Sequence, residues 1–166
     1  MPVHGVDGFD SYRTVFGRVT LSTFSNSRRL KGFFMSKPEF FVTPGYGEHF
    51  RKTLGYSQAV KIGNRVEISG QGGWSDDLQF PDRLQDEIEL AFDNVGRVLA
   101  AAGAGWEHVV HVNSYHIGFA PETNETMSRM FRRHMPDHGP IWTQTGVTAL
   151  GDPHMRVEIR VTAIIA

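Results

Sequence analysis

The sequence contains no cysteine. Disulfides, zinc–thiolate sites and thiol nucleophiles are therefore excluded, and the fold must stand on packing alone. It has no long apolar run: nothing approaches the roughly 18 consecutive apolar residues needed to span a bilayer. It has almost no net charge, a formal −1 from 17 basic and 18 acidic residues. No bulk field would draw in nucleic acid or an anionic membrane. No serine sits in a GxSxG elbow. The glycine cluster "SGQGGW" is neither GxGxxG nor followed by the lysine and serine of a P-loop. What is there suits one globular domain with a sizeable core: 166 residues, 40% hydrophobic and 21% charged.

Residues 1–34 differ from the rest. From Ser11 to Phe34 come Arg13, Arg18, Arg28, Arg29 and Lys31, with many Ser and Thr and no acidic residue. That is the composition of an organelle transit peptide. Asp7 and Asp10 and the unclear spacing of Val15, Val19, Leu21 and Phe24 point instead to an unpacked upstream extension. Either way Met35 is the natural start of a single domain over 35–166. The first reading predicts a mitochondrial destination and the second a cytoplasmic one.

Beyond Lys37 the signals become globular. "TPGYGEH" reads as a Gly/Pro loop. "YSQAVKIGNRVEISG" reads as two strands joined at Gly63-Asn64. Asp82 precedes a helix running to about Ala102, with Leu84, Ile88, Ala91, Phe92, Val95, Val98 and Leu99 as its apolar stripe. "EHVVHVNSYHIG" is a strand with Val110, Val112, Ser114 and His116 on one face and His111, Asn113, Tyr115 and Ile117 on the other. "PETNETMSRMFRRHM" is a second helix, with Pro121 near its start and Met127, Met130 and Phe131 inward. "PIWTQTGV" is a strand on which Trp142, Gln144 and Gly146 share a face. In the last strand Met155, Val157, Ile159, Val161 and Ala163 oppose Arg156, Glu158, Arg160 and Thr162. The order β-β-α-β-α-β-β predicts an α+β fold, one mixed sheet covered on one face by two helices. Its other face, of mixed polarity, predicts a homo-oligomer.

Several constellations have chemical potential beside plainer roles. His134 and His138 stand four apart, but Pro136 breaks the helix between them and no third ligand completes a zinc set. No metal site is expected. His111 and Tyr115 suit acid–base work or an interface. "SGQGGW" suits a loop whose backbone N–H groups approach a small ligand or another chain. Glu158 between Arg156 and Arg160 is either part of a solvated edge or a carboxylate held by two guanidiniums.

"GYSQAVKIGNRVEISGQ", the long helix ending "AAG", the Asn124 helix, Pro140 and the closing "VEIRVTAI" together resemble the RidA/YjgF (Rid) family over about Tyr56 to Ala166. The resemblance implies a chorismate-mutase-like fold and a homotrimer with clefts between subunits. It also implies hydrolysis of reactive enamines and imines, such as 2-aminoacrylate, to 2-keto acids and ammonia without a cofactor. By the resemblance Tyr56 lies at the cleft wall, and Ser69 and Gly70 at the strand end lining the pocket. Asn124 is a cleft asparagine on the second helix, and Glu158 handles a water or a proton.

One position departs from the family pattern. Deaminating members carry an arginine two residues after the proline equivalent to Pro140, whose planar fork clamps the substrate carboxylate. Trp142 stands there, with one N–H, no charge and a broad π-face. Three readings follow. The chain is a hydrolase for a different substrate, aromatic, cationic or uncharged, stacked on Trp142 with Trp74 as a second indole. Alternatively Arg156 or Arg160 reaches the cleft and replaces the arginine. Otherwise the trimer is a non-catalytic small-molecule-binding or chaperone-like module.

Overall fold

The computed structural model describes residues 36–166, and the extension expected over 1–34 lies outside them. Gly63-Asn64 makes the predicted two-residue turn between β2 (Ala59–Ile62) and β3 (Arg65–Ile68), which pair antiparallel with Ile62 opposite Arg65. Two elements precede that hairpin. A short strand β1 (Glu39–Phe41) pairs with β2. A helix α1 (Tyr46–Leu54) occupies the stretch expected to be a loop. The glycines of "TPGYGEH" drew attention to a break, yet "EHFRKTL" is helical. Basic Arg51 and Lys52 lie in its last turn, and Gly55 closes it in the left-handed conformation at φ 80°.

α2 (Leu84–Ala101) and α3 (Pro121–His134) are the two predicted helices. Between them runs β4 (Val109–Ile117), and after them β5 (Ile141–Val147) and β6 (Val157–Ile164). The strand order is β1-β2-β3-β6-β4-β5. β4 and β5 are parallel, joined through α3, and every other pairing is antiparallel. Both helices pack on one face of the sheet, as predicted. The core lies between them: Ile88, Ala91, Phe92, Val95, Val98 and Leu99 of α2 meet Val157, Ile159, Val161 and Ala163 of β6.

Two alternations differ from expectation. In β4 the pairing with β6 shifts register between Val109 and His111. This bulge turns Val110 outward to 45% exposure and puts Val109 in the core. At the other end of the sheet β6 begins only at Val157, so Met155 and Arg156 do not follow its alternation. Met155 joins a second apolar cluster with Tyr46 and Trp74 beneath α1.

Candidate functional site

The sheet separates two chemical environments. On the helix-covered side, β4 and β5 carry a small polar layer in the core. Ser114 and His116 are buried, and the His116 Nε2 and Ser114 Oγ are 2.9 Å apart. The Trp142 Nε1–H donates to the same Ser114 Oγ at 2.9 Å, and its ring meets Phe131 edge-on at 5.0 Å. Burial pushes the His116 imidazole down to about 4. Trp142 pairs with Val112, which fixes its face. The indole expected to face the substrate is instead half-buried against α3, because an N–H and a flat ring find both partners there.

The other face carries Glu158, which lies opposite Tyr115 in the β4–β6 register, while Arg160 lies opposite Asn113 and Thr162 opposite His111. Neither arginine beside Glu158 is its partner. Arg160 Nη2 lies 3.3 Å from Oε2 of Glu67, which also accepts from Thr162 Oγ1 at 2.8 Å. Arg156 turns to α2, where its Nε donates to Glu87 Oε2 at 2.6 Å and its backbone N–H to Oε1 at 2.7 Å. Its remaining donors take the carbonyls of Asp82 at 2.9 Å and Pro81 at 2.6 Å. The carboxylate held between two guanidiniums is thus Glu158 in neither case. Arg156 does not reach a cleft, because the wholly buried Glu87 claims it.

With no cation partner among the described residues, Glu158 sits half-buried at a cavity of about 290 Å³. Desolvation raises its carboxyl above the ordinary value. The backbone of Gly70 comes so close that a Cβ there would overlap the Glu158 carboxylate. Tyr56 lines the same cavity; burial raises its phenol, and the nearby Glu158 charge raises it further. Phe50, Trp74 and Phe80 form aromatic walls, and Asp152 supplies a second carboxylate at the rim. Three residues expected at the site by resemblance, Tyr56, Gly70 and Glu158, are therefore brought together. Ser69 lines a neighbouring open cleft of about 630 Å³, with Tyr56 common to both. Asn124 is exposed in the first turn of α3 and lines neither cavity.

The glycine loop is built differently from expectation. The carbonyls of Gly72 and Trp74 both accept from Nδ2 of buried Asn94, at 2.9 and 2.8 Å. Gly73 packs against the α2 backbone at Glu87. The loop thus faces inward and holds Trp74 in place for the cavity. Gln71, also buried, donates from Nε2 to the carbonyls of Ser69 and Gly70 at 3.1 and 3.0 Å, and accepts from the Tyr46 hydroxyl at 2.9 Å. These buried polar residues position the strand end beside Glu158. Glu87 and Asn94 stand seven apart on the apolar stripe of α2, a polar interruption at helical spacing that could have marked them.

The remaining candidates have structural surroundings. His134 packs beside the stacked rings of Phe92 and Trp106, at 5.6 and 4.9 Å. His138 Nε2 lies 2.9 Å from the Val109 carbonyl oxygen. His111, Asn113 and Tyr115 lie on the face away from the helices.

A protein-family model described as Endoribonuclease L-PSP matches residues 48–165. Among curated proteins, the Escherichia coli RutC family protein YjgH is 32% identical over 114 residues, covering 69% of this chain and 83% of its own. A protein of Dermatophagoides farinae named 2-iminobutanoate/2-iminopropanoate deaminase is 34% identical over 114 residues, covering 66% and 85%. The Schizosaccharomyces pombe protein mmf2, mitochondrial, is 29% identical over 110 residues, covering 65% and 86%. The solved structure of protein YJGH superposes with a TM-score of 0.64 at 32% identity, covering 76% of this chain and 95% of that one.

Proposed function

The chain belongs to the Rid (YjgF, or endoribonuclease L-PSP) family and has its chorismate-mutase-like fold, and from that premise we propose that it is a cofactor-independent hydrolase of small reactive enamines or imines. The observation that carries the reading is the Glu158 carboxylate, half-buried with no cation partner among the described residues, beside Tyr56 and against the Gly70 backbone. A carboxylate with a raised proton affinity exchanges protons nearer neutral pH than an ordinary glutamate. It takes a proton from a water attacking the imine carbon and returns it to the departing nitrogen. The Tyr56 hydroxyl donates to the developing charge. The relative named an imine deaminase supports the reaction class.

Phosphodiester cleavage, the other activity that the family's description suggests, fits this cavity poorly. Phosphate recognition relies on Lys and Arg, whereas among the described residues this cavity is lined by two carboxylates and no basic side chain.

The open face of the sheet supports a trimer. Exposed Ile141, Val110 and Ile117 lie at β4 and β5, next to the polar row of His111, Asn113 and Tyr115. Closing that face against two further copies would cover the apolar groups and enclose the cavities in clefts between subunits. Light scattering after gel filtration reads the mass directly, and a monomer would remove this part. For destination, the basic, acid-free Ser11–Phe34 segment and the relative named mitochondrial support import, and a reporter fused after Phe34 tests it. Among the described residues no helix is long and apolar enough to cross a membrane.

The decisive experiment compares wild type with Glu158→Gln. Imines are generated in situ by an amine or amino-acid oxidase, and their loss is followed against buffer. We expect wild type to accelerate hydrolysis and Glu158→Gln to lose at least about 100-fold, the scale of one general acid–base. A folded wild type that gives no acceleration with any imine would favour the non-catalytic binding module instead.

A further inference from the structure

The cavity at Glu158 has a composition that selects among imines. Its walls are rings set nearly at right angles. Phe50 and Trp74 have centroids 5.5 Å apart at 86°, and Trp74 and Phe80 6.4 Å apart at 83°. Tyr56 lies nearly parallel to Phe50 at 6.0 Å. Glu158 and Asp152 add two carboxylates. The second is held ionised, since the backbone N–H and ring of His154 bond to it and lower its pKa.

Among the described residues, the arginines near the cavity each have another engagement. Arg156 is bound to Glu87. Arg97 is bound to Asp76 and the Pro44 carbonyl. Arg51 donates to the Gly55 carbonyl at 2.8 Å, and Arg160 is drawn to Glu67. Both of these last two line the neighbouring open cleft. His154 stacks on Phe80 at 6.0 Å, and its Nδ1 lies 2.9 Å from Oδ1 of Asp152.

We infer that this cavity takes small apolar cations, the iminium forms of simple amines, in preference to the imines of amino acids; the inference rests on the hydrolase reading above. Ring faces carry negative quadrupole charge and attract a cation set over them. Two carboxylates add to that attraction and repel a third brought in by an amino-acid-derived substrate. At about 290 Å³ the cavity holds about ten water volumes, enough for a phenyl-sized substituent beside the reacting carbon. The reaction is RR′C=NH2⁺ + H2O → RR′C=O + NH4⁺. The water oxygen bonds to carbon, the C–N bond breaks with its electron pair going to nitrogen, and both protons of the water are delivered in turn to that nitrogen, the first on attack and the second as the carbonyl forms. Two-electron oxidation of a primary amine is the class of reaction that must supply such a substrate.

Binding and turnover test this separately on the full chain. Calorimetry compares benzyltrimethylammonium, neutral 3,3-dimethylbutanol and anionic 3-phenylpropanoate. We expect the ammonium to bind at least tenfold tighter than either. Phe50→Leu and Asp152→Asn should each weaken it about fivefold, and by more than they weaken 3,3-dimethylbutanol. In turnover, imine made by amine oxidase from phenylethylamine is compared with imine made by amino-acid oxidase from phenylalanine, and kcat/KM should favour the first at least tenfold. Equal or tighter binding of 3-phenylpropanoate, or faster loss of the phenylalanine imine, overturns the substrate class and leaves the hydrolase reading intact. Selective binding of the ammonium with neither imine accelerated overturns the hydrolase reading and leaves the cation preference standing. Failure of all three probes to bind overturns the inference itself.

Discussion

The guanidinium of Arg156 is bound to the carboxylate of Glu87, its Nε 2.6 Å from Oε2. Sixty-nine residues separate them in sequence. This pair decides two things at once. It ties the start of β6 to α2, and it removes from Glu158 the cation that stands two positions away on the chain.

Because Glu87 is wholly buried, removing its partner leaves a desolvated charge. Arg156→Met should cost about 3 kcal/mol of stability. The midpoint of thermal unfolding should fall by about 6–12 °C. The double variant Glu87→Leu/Arg156→Met should recover much of the loss. If Arg156→Met unfolds like wild type, the pair has no structural weight.

Glu158 has the opposite economy. Its folded-state proton affinity lies above the unfolded value, so burial favours the protonated form. Its contribution to stability is complete below the unfolded pKa and is lost as pH rises through the folded one. Glu158→Gln should therefore gain stability relative to wild type as pH rises from about 4 toward neutral. Below that range the two should coincide. Unfolding midpoints of both proteins across pH 3–8 test this, and parallel curves would contradict it. The same raised affinity should place the acidic limb of the kcat/KM profile above the ordinary glutamate range.

His116 acts on stability with the other sign. Its imidazole is pushed from 6.5 down to about 4, so the folded state resists protonation. The stability it permits is present above about pH 6.5 and is lost as pH falls toward 4, by about 3 kcal/mol in all. His116→Gln should flatten the decline between those values. Denaturant midpoints at pH 7, 5.5 and 4 give the comparison. A slope unchanged from wild type would show that other groups carry it.

Gly70 and Trp142 separate cavity from core. Gly70→Ala puts a methyl into the Glu158 carboxylate. It should cost about 1–3 kcal/mol and most of the turnover. Trp142→Phe loses the N–H bond to Ser114 and keeps a ring against Phe131. It should cost about 1–2 kcal/mol while leaving ligand affinity within twofold. A large loss of affinity in Trp142→Phe would restore the indole to the binding surface.

The regular elements were legible because their signals are local. Gly63-Asn64, the α2 stripe, Pro121 and the alternation of β6 each lie within one element. Tyr56, Gly70 and Glu158, expected together by resemblance, line one cavity. What escaped was set by distant partners. Arg156 reads as a strand residue until Glu87 is seen, and Trp142 as a cleft residue until Ser114 and Phe131 are seen. α1 was hidden by its flanking glycines. With it went Phe50, which sets the character of the cavity.

The strand order has a consequence for how the protein is made. β6 is the last strand in sequence and lies in the middle of the sheet, between β3 and β4. While the chain leaves the ribosome, the β1–β2–β3 meander and the β4–α3–β5 unit exist with no strand to join them. Their inner edges offer unpaired N–H and C=O groups to any passing strand. Only when β6 emerges can the two halves become one sheet. β6 thus acts as the keystone of assembly, and the nascent protein is most vulnerable to aggregation while β1–β5 are made and β6 is not.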